Sequence, residues 1–124
     1  MKILLAEDDE VLLKIMEHRL QFSGDHQVLT ALDGKDALQL AEQHLPDVVI
    51  TDMLMPRYSG AELINYLRED LRLPAYVIAI SAIDTDAFSQ EALDIGADRF
   101  VAKPFDLDSF IASVNSLTNV AQAS

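Results

Sequence analysis

Apolar residues recur along the chain in two alternating patterns. Short unbroken runs come first: Ile3–Ala6, then Val48-Val49-Ile50-Thr51, then Ala75–Ile80 and Arg99–Ala102. Such runs, rich in β-branched residues and bounded by turn signals, predict buried strands. Gln27–Ala31 predicts a weaker fifth strand between the first two. The intervening segments carry apolar residues at helical spacing. Leu12, Ile15, Met16 and Leu20 mark a first helix, capped by Asp9 and stopped by Ser23-Gly24-Asp25. Asp33 opens a second helix with Ala37, Leu38, Ala41 and Leu45, and Pro46 ends it. Ser59-Gly60-Ala61-Glu62 has capping-box spacing and starts a third helix with Ile64, Leu67 and Leu71 on one face. Asp84 or Thr85 caps a fourth, with Gly96 suited to its C′ position. Asp106 caps a fifth, which turns Leu107, Phe110, Ile111, Val114 and Leu117 inward.

Strand and helix therefore alternate five times, with no repeat or low-complexity tract. Strands buried on both faces and joined by helices predict an α/β fold with a five-stranded parallel sheet, doubly wound and reached by right-handed crossovers. Ligands on such sheets bind beyond the carboxyl ends of the strands.

Composition narrows the function. The chain has 124 residues, which suits one domain. It has no cysteine, so disulfides, zinc–thiolate sites and thiol catalysis are excluded. Its net charge is −12, and none of its 9 Lys and Arg residues adjoins another. Nucleic acid and anionic membranes need clustered bases, so neither is an expected partner. No apolar run approaches the ~20 residues of a membrane span, and Glu7 arrives too early for a signal peptide. A cytoplasmic protein is expected.

The chemistry sits at the strand ends. Glu7, Asp8, Asp9 and Glu10 follow the first strand, Asp52 ends the third, Ser81 ends the fourth and Lys103-Pro104 follows the fifth. Parallel strand ends converge, so these groups should share one shallow pocket. Carboxylates ~4 Å apart repel by ~4 kcal/mol at an effective dielectric of 20. A hard divalent cation offsets that repulsion, and Mg²⁺ prefers few carboxylates, retained waters and a phosphate partner. Lys103 suits phosphate oxygens, Ser81 can hydrogen-bond another, and Asp52 remains as a nucleophile able to form an aspartyl-phosphate. His18, His26 and His44 lack metal-ligand spacing and read as structural, as do Met53 and Met55.

These segments together resemble the receiver domain of two-component response regulators. The matching stretches are Lys2–Asp9, Asp47–Pro56, Gly60, Ile78–Ala82, Gly96–Phe100 and Val101–Phe105, in order across nearly the whole chain. The resemblance implies a flavodoxin-like strand order 2-1-3-4-5. It implies that Asp52 is the phosphoacceptor, and that Asp8 binds Mg²⁺ (or Mn²⁺) directly and Glu7 through water. The backbone carbonyl of Leu54 and the carboxylate of Asp52 complete the metal set. Ser81 resembles the switch hydroxyl, Lys103 the phosphate-binding lysine and Phe100 the switch aromatic. Phosphate would come from a phosphohistidine on a histidine kinase or a phosphotransfer protein, or from small donors such as acetyl phosphate. The response would be a shift in the face made by the fourth helix, fifth strand and fifth helix, read by a downstream protein or effector domain. Partners of the family dock around the first helix and the loop after the fifth strand. No enzymatic activity is expected beyond self-phosphorylation and self-dephosphorylation.

Other classes fit less well. The loop after the first strand is acidic, unlike that of a flavodoxin-type binder, and there is no G-x-G-x-x-G or Walker lysine motif. A small Mg²⁺-dependent phosphatase working through an aspartyl-phosphate would want a second Asp two residues after its nucleophile, where Leu54 stands. Residues 1–118 read as the receiver and 119–124 as a short tail or the start of a linker. That leaves a stand-alone regulator or a module from a longer one with a DNA-binding or enzymatic output. Leu54 and Ile83 are apolar at positions that influence water at the acyl phosphate in the family, so slow self-dephosphorylation is expected. Phe100 has no hydroxyl, so its switching rests on ring position. Asp84, Asp86, Glu91, Asp94, Asp98, Asp106 and Asp108 make the expected output face acidic.

Overall fold

A computed structural model describes the backbone of residues 1–123 and the side chains of residues 1–117. Five strands alternate with five helices: β1 (Lys2–Ala6), α1 (Glu10–Ser23), β2 (Gln27–Ala31), α2 (Gly34–His44), β3 (Val48–Asp52), α3 (Gly60–Asn65), β4 (Tyr76–Ser81), α4 (Asp86–Asp94), β5 (Arg99–Ala102) and α5 (Leu107–Ala123). A π-helical turn, Tyr66–Asp70, extends α3. The expectation of a tail or linker over 119–124 falls outside the residues whose side chains are described.

The strands pair in parallel in the order β2-β1-β3-β4-β5. Both sheet faces are covered, and alternation along each strand sends its side chains to two separate cores. Leu4, Ala6, Val49, Val77 and Ala79 pack under α2, α3 and α4. Ile3, Leu5, Ile50, Ile78 and Ile80 pack under α1 and α5, where Met16, Leu20, Phe110 and Val114 meet them. Each fully buried Leu or Ile contributes about 1.5–3 kcal/mol over leaving it exposed. The expectation of strands buried on both faces holds for β1, β3 and β4; β5, at the sheet edge, is half-buried throughout.

The caps form as the sequence predicts. Asp9 accepts from the amides of Val11 and Leu12, Asp33 from Asp36, and Thr85, of the two candidates, from Phe88. Ser59 and Glu62 form a reciprocal capping box. Gly96 takes the left-handed position after α4, with φ of 128°. Two helix faces need correction. On α1 the buried residues are Leu13, Met16 and Leu20, and Ile15 is exposed with Val11 and Phe22. Met16 and Leu20 are core as expected and Leu12 packs half-buried against it; the helix is apolar on two sides, and of the expected stripe only Ile15 falls on the outer one. Leu45 is also exposed, because the chain turns left-handed there, at φ of 47°, to close α2.

Candidate functional site

The carboxyl ends of β1, β3 and β4 meet at the top of the sheet. The last residue of β3, Asp52, pairs with Ile80 of β4, so Ser81 lies one residue further along. The amide of Met53 donates to the Ile80 carbonyl (2.9 Å) and that of Lys103 to the Ser81 carbonyl (2.8 Å). Those bonds carry the sheet ladder past its ends and fix where Asp52 and Lys103 depart from it.

Three of the predicted residues are in direct contact. The Lys103 ammonium donates to Asp52 Oδ2 at 2.7 Å and lies 2.6 Å from Glu7 Oε1. Asp52 is buried, and its other oxygen, Oδ1, accepts the Leu54 amide at 3.0 Å. Glu7 is fully buried; its Oε2 accepts the Asp9 amide at 3.0 Å. Burial, the largest cause, pushes the Glu7 carboxyl up to about 7, against the lowering pull of Lys103. The two carboxylates hold Lys103 above its ordinary value, overcoming the opposite effect of its own burial. Asp8 projects from the same strand end and is exposed.

Glu7, Asp8 and Asp52 each offer an oxygen within 4.8 Å of the others. In an octahedral shell with Mg²⁺–oxygen distances of ~2.1 Å, opposite ligands stand ~4.2 Å apart and neighbouring ones ~3.0 Å, so the three would draw inward around an ion or reach it in part through water. Glu7 Oε1 is buried with no well-formed hydrogen bond among the described residues, beside the Lys103 ammonium at 2.6 Å and the Asp52 carboxyl. Such an atom suits a further cation or a water bound to one. The hard, all-oxygen donor set fits Mg²⁺ or Mn²⁺.

Ser81 is fully buried, and its Oγ accepts the Ile83 amide at 3.1 Å. That bond leaves the hydroxyl proton available. Phe100 is half-buried. Its ring meets Phe88 of α4 edge to face, with centroids 6.2 Å apart. Sequence reasoning missed Phe88; its signal was that it is the one aromatic residue of α4. Leu54 and Ile83 are both exposed, as residues that face solvent near the site should be.

Of the histidines and methionines read as structural, several have visible packing. His26 hydrogen-bonds Asn115 at 2.7 Å, His18 stacks on Phe22, and Met53 is buried. The acidic face is partly compensated. Asp98 pairs with Arg68 and accepts the Val77 amide, Asp108 pairs with Arg19, and Asp106 caps α5.

The family of the response regulator receiver domain matches residues 3–115. Among curated proteins, the probable transcriptional regulator ycf27 of Guillardia theta is 38% identical over 97% of this chain and 47% of its own length. The transcriptional regulatory protein KdpE of Mycobacterium tuberculosis is 39% identical over 92% of this chain and 49% of its own. This chain spans about half the length of these relatives. Among solved structures, the receiver domain of Francisella response regulator 1452 superposes with a TM-score of 0.88, at 32% identity, covering 97% of this chain and 98% of that one. The chemotaxis response regulator CheY4 of Vibrio cholerae gives 0.84 at 27% identity, covering 93% of this chain and 96% of that one. No helix among the described residues is long and apolar enough to cross a membrane.

Proposed function

The chain belongs to the response regulator receiver domain family, and from that premise we propose that Asp52 accepts a phosphoryl group in a two-component phosphorelay. One observation carries the reading: a buried carboxylate at a strand end, held at one oxygen by Lys103 and at the other by the Leu54 amide, beside Glu7 and Asp8.

Each residue then has a task. Asp52 attacks phosphorus, a P–O bond forms, and the P–N bond of a phosphohistidine breaks with its electron pair leaving on the imidazole. The Leu54 amide and Lys103 orient the attacking carboxylate, so the cost of positioning is met before the donor arrives. Lys103 exchanges a carboxylate oxygen for a phosphoryl oxygen and offsets the charge that arrives. Asp8, Asp52, the Leu54 carbonyl and, through water, Glu7 would hold Mg²⁺. When bound, that ion lowers the repulsion between carboxylate and phosphoryl group. The Ser81 hydroxyl donates to a phosphoryl oxygen, and it gives up the Ile83 amide if it moves to do so. Ser81 begins the connection to α4, and Phe100 packs on that helix through Phe88, so the displacement passes to α4, β5 and α5.

The half-length match to proteins named as transcriptional regulators supports a second reading of the output. In it the altered face acts on an attached effector domain, rather than on a separate protein. Both readings share the chemistry at Asp52. Incubation with Mg²⁺ and a small phosphodonor such as acetyl phosphate should place a phosphoryl group on the peptide containing Asp52. Asp52→Asn should abolish it, and labelling that survived the substitution would overturn the assignment.

A further inference from the structure

The loop between β3 and α3, residues 53–59, carries the Leu54 amide and carbonyl, and it leans on a surface outside the site. Its far side rests on the first turn of α2. The Gly34 amide donates to the Pro56 carbonyl at 3.2 Å. A Cβ on Gly34 would stand 2.0 Å from the Tyr58 carbonyl oxygen, so no other residue allows this approach without moving the backbone. Arg57, left-handed at φ of 70°, reaches back across the contact. Its guanidinium lies 2.8 Å from Asp33 and 3.1 Å from Asp36. Asp33 is already fixed, because it caps α2. At the other end of the loop, the Gly60 amide donates to the Met53 carbonyl at 3.0 Å, and a Cβ there would stand 2.4 Å from the Asp52 carbonyl oxygen.

We infer that Gly34, Asp33, Asp36 and Arg57 form a clamp that holds the β3–α3 loop in its ion-binding shape, which makes Arg57 and Gly34 positioning residues for the Asp52 site. The inference rests on the reading of that site as a Mg²⁺ centre. The clamp touches neither the acids nor Lys103 among the described residues. It acts by holding the segment on which Leu54 stands, so that the loop is ordered before the ion binds and not at its expense. A surface ion pair alone is weak, but one guanidinium shared by two carboxylates over a glycine contact restricts the loop at two points.

Calorimetric titration of the full chain with Mg²⁺ alone tests this, with thermal unfolding run beside it. Arg57→Gly removes the guanidinium and tolerates the left-handed backbone, and Arg57→Asn, which tolerates the same φ without glycine's added freedom, should match it if the lost guanidinium is the cause. Arg57→Gly should weaken Mg²⁺ binding about three- to tenfold with little change in the melting temperature of the ion-free protein. Arg57→Lys, which keeps the charge, should recover part of the loss. Gly34→Ala should weaken binding about tenfold or more. Arg57→Gly serves alone if Gly34→Ala fails to fold. Unchanged affinity in Arg57→Gly, with wild type binding normally, would overturn the clamp and leave the site intact. Failure of the wild type to bind Mg²⁺ would overturn the site reading and the clamp with it.

Discussion

Two walls flank Asp52, and they are built differently. On the side of α2 and α3, the backbone approaches through two glycines, the loop is bridged by Arg57, and the helices bury Ala37, Ala41, Leu63 and Ile64. On the side of α4, the helix buries one residue, Ala92, and is started by a single Thr85 cap. The strand beneath it is half-buried along its length. Local stability follows buried apolar contact, so the first wall should resist displacement more than the second. A charge change at one point produces a directed movement only if one side of it resists. If Asp52 carries a phosphoryl group, as proposed, this asymmetry would direct the response toward α4.

The contrast can be broken or sharpened by substitution. The largest effect should come from the first wall, where Leu63→Ala removes a fully buried side chain. A loss of about 2–5 kcal/mol is expected in urea unfolding. Gly60→Ala drives a methyl against the Asp52 carbonyl and should cost about 1–3 kcal/mol. Thr85→Ala, on the second wall, should cost about 1 kcal/mol and speed amide exchange in α4 alone. The smallest effects are chemical. If water access sets the lifetime of the phosphorylated state, Leu54→Asn or Ile83→Glu should shorten it in a decay assay, since neither native side chain can orient water. A lifetime unchanged in both would remove that explanation.

The site also makes a pH-dependent contribution with a definite sign. The Glu7 carboxyl is raised from 4.5 to about 7 in the folded protein. Its neutral form is the one the fold prefers. The contribution is therefore fully present below about 4.5, declines as pH rises, and is lost above about 7. Ion-free protein should lose thermal stability from Glu7 between pH 5 and 8. Glu7→Gln should flatten that slope, and saturating Mg²⁺ should oppose it. A slope that Glu7→Gln leaves unchanged would show that burial does not control this acid.

Much of this was legible in the sequence, for a physical reason. Parallel strands bring their carboxyl ends to one side whatever lies between them, so Glu7, Asp52, Ser81 and Lys103 could be placed in one region from the strand–helix alternation. Caps were legible because they are local: Asp9, Asp33, Ser59 and Asp106 each satisfy amides two or three residues away. Other features were hidden. Ile15 and Leu13 lie on opposite sides of a helix that is apolar on both, so hydropathy could not choose between them. The bridge from Arg57 to Asp33 and Asp36 depends on the path of a loop and on a left-handed residue within it. The protonation of Glu7 follows from burial, which no residue pattern states. The partner of Phe100, Phe88, belongs to another element and is joined to it only by tertiary packing.

Amide exchange measured before and after phosphorylation tests the two-wall account most directly. Once Asp52 carries a phosphoryl group, exchange should change over residues 82–102, through α4 and β5. Residues 33–44 and 53–65 should keep the exchange they show in the Mg²⁺-bound, unphosphorylated protein. Equal change on both sides, or change confined to α2 and the β3–α3 loop, would contradict the account.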